Sequence, residues 1–252
     1  MITVGSLFAG IGGIEKGLED TGGFVTKWQV EMDDYATQVL EKHWPDVTRW
    51  RDVRTFPPPA QSPWLGAAWR EKWSVDLICG GFPCQDISYA GKGAGLAGAR
   101  SGLFFEVVRV ARCLRPRWLL LENVAALLSR GLGTVLKELS QIGYVGEWCS
   151  MPSGAFGTHF RGDRVYIIAS RSATSCLRRQ GEWTNPIRAF TRDEFTRLVE
   201  STLPTCVPAG KADRISDGVR WRVDRLRCLG NAVVPQVAEY IGRQILNAED
   251  SR

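Results

Sequence analysis

The chain has 252 residues, 44% of them hydrophobic, enough for one full core or for a large domain with a small companion. Nothing in it approaches the ~18 consecutive apolar residues of a membrane span, and residues 1–6 carry no basic n-region, so the expectation is a soluble, cytoplasmic protein without a secretory signal. The net charge of +5 is uneven: residues 161–227 hold 14 Lys and Arg against 8 Asp and Glu, the remainder 18 against 19, which suits either a surface facing a polyanion or a solvated arginine-rich face.

Residues 4–8 form a first predicted strand, followed by a glycine turn at Gly10, Gly12 and Gly13. A helix runs on through Ile14 and Leu18 and stops at Gly22 and Gly23. Residues 24–32 make the second strand, and Asp33 or Asp34 caps a helix through Tyr35, Val39 and Leu40 that ends near Pro45. Residues 75–80 are a short apolar strand suited to burial on both faces. Ser101 then caps a helix with Leu103, Phe104, Val107, Val108, Ala111 and Leu114 at three-four spacing. Residues 118–122 are the next strand, and Thr134 begins a helix through Leu136 and Leu139. Residues 144–151 and 165–169 read as an antiparallel pair at the sheet edge. From about 170 to 214 the pattern loosens, with one helix predicted from Thr191, where Glu194 completes a capping box. Pro235 opens a last helix through Val237, Tyr240 and Ile241. Strands alternating with amphipathic helices predict an α/β fold with a mainly parallel sheet.

Seven cysteines, at 79, 84, 113, 149, 176, 206 and 228, include no C-x-x-C pair, and the only histidines are His43 and His159. That argues against a disulfide framework and against a zinc site. Most of the seven are expected to be buried small hydrophobes.

In Phe8-Ala9-Gly10-Ile11-Gly12-Gly13, the glycines let a ligand approach the backbone, and the helix that follows offers free N–H groups. Glu15 stands where a dinucleotide fingerprint wants a third glycine, so S-adenosylmethionine suits this turn better than a dinucleotide does. A tight turn without a ligand is the other reading. Glu31 ends the second strand, where an acid can hold both hydroxyls of a ribose, with Met32 beside it to pack on an adenine. Asp52 and Val53 follow the third strand and are placed to serve the exocyclic amine. Taken singly, each acid also reads as a surface residue.

Cys84 directly follows a buried strand and the rigid Pro83, at the carboxyl end where α/β sheets bind ligands. Behind it Gly91, Gly93, Gly95, Gly98 and Gly102 lack the apolar neighbours to pack down and read as a lid. A thiol there is a candidate nucleophile, although no His partner is evident; a buried structural thiol is the alternative. Glu122 ends the neighbouring strand and would rise beside Cys84 as a proton donor or as a partner for a base edge.

Together these stretches resemble the DNA cytosine-C5 methyltransferase family, over residues 3–169 and again 214–242. Residues 6–13 resemble its cofactor motif, Gly81-Phe82-Pro83-Cys84-Gln85 its nucleophile motif, Glu122-Asn123-Val124 its acid motif, and Gly230-Asn231-Ala232-Val233-Val234-Pro235 the final motif that returns to the cofactor pocket. The resemblance implies a Rossmann-like S-adenosylmethionine-dependent methyltransferase sheet with helices on both faces, plus a small target-recognition region. It divides the chain into a catalytic and cofactor-binding part at 1–170, a short target-recognition region at 171–214, and a segment at 215–252 that returns to the catalytic part.

By the same resemblance the catalytic set is Cys84, Glu122, Arg164 and Arg161. To the cofactor residues already named it adds Gly80, Pro83, Leu103, Asn231, Ala232 and Val233. Gln85, Ser88, Gly91, Lys92, Arg178, Arg179, Trp183 and Arg188 become candidate DNA contacts. The expected partner is double-stranded DNA, met by a monomer that needs no metal. Two departures stand out. Gly162 replaces a basic residue expected before Arg164, which predicts weaker anchoring of the base or backbone, and Ser6 stands where many relatives carry an acid. A recognition region this short implies a short target sequence. An RNA cytosine methyltransferase on the same scaffold stays open, to be decided by a substrate comparison. A catalytically silent DNA-binding protein is disfavoured by the retained Cys84 and Glu122. A nicotinamide oxidoreductase is disfavoured by Glu15 and by the lack of a His or Tyr to handle hydride.

Overall fold

A computed structural model of the chain describes residues 1–58, 66–83, 102–152, 163–171 and 232–250. Within them lie β1 (Ile2–Leu7), α1 (Gly13–Asp20), β2 (Phe24–Val30), α2 (Asp34–His43), β3 (Thr48–Trp50), α3 (Gly66–Trp73) and β4 (Leu77–Gly81). These are followed by α4 (Leu103–Leu114), β5 (Trp118–Val124), α5 (Leu127–Arg130), α6 (Leu132–Gln141), β6 (Val145–Pro152), β7 (Asp163–Ser170) and α7 (Pro235–Asp250).

The strands form one sheet in the order β3-β2-β1-β4-β5-β7-β6. The first five run parallel, and β7 is antiparallel to both β5 and β6. The expected antiparallel pair at the sheet edge therefore exists, with β6 outermost and β7 beside β5. The strand order reverses between β1 and β4, so the loops after these two strands part and leave a crevice at their carboxyl ends.

Strand alternation sends side chains to two cores. Leu7, Ile78, Leu119 and Leu121 join α4 and α6 on one face. Val4, Leu77, Cys79, Trp118 and Leu120 join α1 and α7 on the other. The α1–α7 contact is close enough that a β-carbon at Gly17 would collide with the Pro235 carbonyl. Such an approach brings the backbone of Val233, just ahead of α7, against Gly13.

Several boundaries move from their predicted places, each for a local reason. β1 stops at Leu7 because Phe8 takes a left-handed φ of 55°, which no strand accommodates. β2 stops at Val30, and the Glu31 side chain is freed to cap other backbone groups. The second helix is capped by Asp33, whose carboxylate accepts from Ala36 N at 2.9 Å. α4 begins at Leu103 with Gly102 in the cap position, one residue later than a Ser101 cap requires. α6 begins at Leu132 rather than Thr134. Neither α3 nor α5 was expected; α5 is a single turn, and α3 has too weak an apolar stripe to announce itself.

Candidate active site

The crevice is a cleft of about 760 Å³, within the size range of a small-molecule site. Phe8, Ala9, Gly10, Ile11 and Gly13 border it from the turn after β1, and Glu31 and Met32 from the end of β2. Asp52 and Val53 close one side, Pro83 and Leu103 another, and Ala232 and Val233 a third. Two residues expected there lie off it. Gly80 faces the Leu7 carbonyl and Gly12 packs on Trp44, while Gly81 takes the cleft position in place of Gly80. Cys84, Gln85, Ser88, Gly91, Lys92, Arg161, Arg178, Arg179, Trp183, Arg188 and Asn231 lie outside the described residues, as do the glycine run ahead of Gly102, Gly162, the helix expected at Thr191 and the recognition region beyond Arg171.

At the β1–β2 end the turn is built by two glycines with positive φ, Gly10 at 57° and Gly12 at 85°. It leaves Gly10 N free to donate to Glu31 Oε2 at 2.7 Å, while Asp33 N donates to Glu31 Oε1 at 2.8 Å. Each oxygen of Glu31 thus spends one lone pair on the backbone and keeps another for a ligand hydroxyl, with the carboxylate fixed in place beforehand. Glu31 and the backbone of the Gly10 turn fit the polar needs of a nucleoside, and half-exposed Met32 beside them fits its base. Asp52 is less available than expected. Arg54 grips it with Nε 2.9 Å from Oδ1 and a second guanidinium nitrogen 2.7 Å from Oδ2. These contacts hold the Asp52 carboxyl below the usual carboxylate range.

At the β4–β5 end, Glu122 reaches the cleft from β5, and Arg164 meets it with Nε 3.0 Å from Oε1. The topology explains the meeting. A parallel strand delivers its carboxyl end to the crevice, whereas antiparallel β7 delivers its amino end, so Arg164 pairs with Val124 in register. Gly81 sits opposite Glu122 in the β4–β5 ladder, and a β-carbon there would lie 2.7 Å from Glu122 Oε2. Burial pushes the Glu122 carboxyl up to about 7, against the opposing pull of Arg164. Asn123 donates from Nδ2 to the Phe82 carbonyl at 3.1 Å, tying the segment that runs into Pro83 to the end of β5. Asn123, Gly81 and Arg54 went unassigned in the sequence reading. Asn123 and Gly81 lie inside motifs already singled out, but the grip of Arg54 on Asp52 has no sequence pattern.

A C-5 cytosine-specific DNA methylase family model matches residues 2–217 of the chain. The protein belongs to that family. Type II methyltransferase M2.BsuMI of Bacillus subtilis is 37% identical over 173 residues, covering 66% of this chain and 41% of the relative. Type II methyltransferase M.NgoBI of Neisseria gonorrhoeae is 33% identical over 166 residues, covering 64% and 48%. The chain thus spans less than half the length of these relatives. In fold it resembles the crystal structure of a Spodoptera frugiperda DNMT2 mutant, with a TM-score of 0.54 at 19% identity, covering 72% of this chain and 54% of that one. S. pombe Dnmt2 gives a TM-score of 0.51 at 16% identity, covering 68% and 49%. The mixed seven-stranded sheet is therefore a Rossmann-like methyltransferase fold. Among the described residues no helix is long and apolar enough to cross a membrane.

Proposed function

We propose that the protein is a DNA cytosine-C5 methyltransferase that uses S-adenosylmethionine and acts on a short target in double-stranded DNA. The observation that carries this is the Glu122–Arg164 pair, buried at one end of a cleft whose other end holds the Glu31–Gly10 turn. A cytosine edge and a nucleoside cofactor are thereby given one shared space.

The residues that would hold the cofactor are Glu31 for the ribose, Met32 and Val53 for the base, and the Gly10–Gly13 turn for the remainder. Bound there, S-adenosylmethionine supplies an electrophilic methyl group for the cytosine C5. The enzyme's own residues raise the reactivity of that carbon, since an aromatic C5 is a poor nucleophile. Cys84, the residue after cleft-lining Pro83, bonds through its thiolate to C6 of the ring. Glu122 in its neutral form donates its proton toward N3 and accepts from the exocyclic amine, stabilising the electron-rich adduct. Its raised pKa keeps that proton available near neutrality. Arg164 orients Glu122 and contacts the cytosine O2, with Arg161 as a basic neighbour. Once C5 is methylated, transfer of its proton to solvent water and expulsion of the Cys84 thiolate restore the aromatic ring, and the N3 proton returns to Glu122. No base can reach such a recess while stacked in a duplex, so the cytosine must be flipped out, at a cost of a few kcal/mol. Gln85, Ser88, Gly91, Lys92, Arg178, Arg179, Trp183 and Arg188 are the proposed DNA contacts.

Bisulfite or long-read sequencing of DNA from cells expressing the wild type and Cys84→Ser tests the reading. The expected result is methylcytosine in a short sequence context with the wild type and none with the variant. Methylation persisting in Cys84→Ser would overturn the mechanism. Methyl transfer to tRNA in preference to duplex DNA would redirect the substrate assignment.

A further inference from the structure

One buried acid has no part in the chemistry above. Glu15, in the first turn of α1, is 1% exposed, yet its side chain borders the cleft together with Ser6. Ser6 pairs with Gln29 of β2 on one side and with Cys79 of β4 on the other. Paired residues of parallel strands point to the same face, so Gln29, Ser6 and Cys79 form one row across the sheet. Glu15 closes over this row, with Gln29 Nε2 donating to it at 3.4 Å.

Among the described residues the groups acting on the Glu15 carboxyl are its own backbone, Ser6, Gln29 and Glu19, and none of these is a cation. A buried carboxylate without a positive partner is costly, and the site is not otherwise completed. Ser6 Oγ and Gln29 Oε1 are buried with no hydrogen-bond partner. Among the described residues the carboxyl has no positive charge beside it and only a long side-chain N–H donation, from Gln29 at 3.4 Å. An ammonium group supplies both, with three donors on one atom, whereas a sulfonium brings charge without a donor.

We propose that Glu15 and Ser6 form an ammonium-binding floor of the cleft, and that Glu15 holds the amino-acid end of S-adenosylmethionine. The inference rests on the cofactor reading above and adds a side-chain partner for the ammonium to the backbone contacts of the Gly10–Gly13 turn. Glu31 and the Gly10 turn take the ribose, Met32 and Val53 the base, and the Glu122 end receives the methyl acceptor.

Calorimetry on the full chain tests it with three ligands: S-adenosylmethionine, S-adenosylhomocysteine, which keeps the ammonium but not the sulfonium, and 5′-methylthioadenosine, which has neither. Glu15→Gln should weaken the first two about tenfold or more and equally, and leave the third within about twofold. Retained 5′-methylthioadenosine binding also shows that the cleft of the variant is intact. Ser6→Asp combined with Glu15→Gln returns a carboxylate to the same row and should recover part of the lost affinity. Unchanged S-adenosylmethionine affinity in Glu15→Gln would overturn the proposal and assign the row a structural role. An equal loss for 5′-methylthioadenosine would also overturn it, as would a loss confined to S-adenosylmethionine. Failure of the wild type to bind S-adenosylmethionine at all would instead overturn the cofactor reading beneath it.

Discussion

The two ends of the cleft each present a glutamate, and the two are made to behave differently. Glu31 lies at the partly open β2 end, its oxygens held by two backbone N–H groups 2.7 and 2.8 Å away. Glu122 lies at the closed β5 end, with Arg164 3.0 Å away and a carboxyl pushed up to about 7 by burial. A carboxylate gripped by backbone donors is a fixed acceptor. One deprived of water, with Arg164 beside it, retains a proton it can give. The same side chain thus becomes a binding group at one strand end and an acid at another, and backbone topology makes the choice.

The comparison predicts opposite kinetic signatures. Glu122→Gln should lower kcat by about 10²–10³-fold, the range for losing one preorganised transition-state partner, with S-adenosylmethionine affinity unchanged. Affinity falling with kcat intact would erase the distinction between the two ends. Glu31→Ala should do the reverse, weakening S-adenosylmethionine about 10–100-fold, as expected for hydrogen bonds to a charged group, while saturating cofactor restores most of kcat. A kcat defect that saturating cofactor cannot rescue would break the contrast.

Much of both ends was legible in the sequence, but unequally. The glycine turn and Glu31 are close in sequence and obey local geometry, so spacing alone put them together. Glu122 and Arg164 are 42 positions apart and meet only because β7 runs antiparallel beside β5. Periodicity recovered the strand 165–169 and its pairing with 144–151, but it does not say which of the two lies beside β5, since either order shows the same alternation. Gly80 was assigned to the cleft where Gly81 borders it, because a shift of one residue in a strand exchanges the two faces. The engagement of Asp52 by Arg54 lay beyond any pattern, being a choice between exposed side chains.

The acid end also has a signature in stability. Folded Glu122 keeps its proton to about pH 7, while an exposed glutamate loses it near 4.5. Between those values the unfolded chain binds fewer protons than the folded one, so this contribution is fully present below about 4.5 and is lost as pH rises through 7. Each such group contributes a slope of about 1.4 kcal/mol per pH unit. Glu15, also raised to about 7 by burial, acts in the same direction. Urea midpoints at pH 5, 6 and 7 should fall for the wild type and fall less steeply for Glu122→Gln. A wild-type midpoint that rises across this window would contradict the protonated state assigned to Glu122.

The smallest effect lies at the cofactor end. Arg54 occupies both oxygens of Asp52, and an adenine amine seeking that carboxylate has to compete with it. The pair is exposed, and an exposed ion pair is worth little, so the competition is weak. Arg54→Ala should therefore tighten 5′-methylthioadenosine by no more than about fivefold, and kcat should not move, because nothing at the Glu122 end is touched. Weaker binding would mean that Arg54 holds Asp52 in its binding position rather than competing for it. Arg54 would then play for Asp52 the orienting part that Gly10 and Asp33 play for Glu31, and the cofactor end would be preorganised throughout.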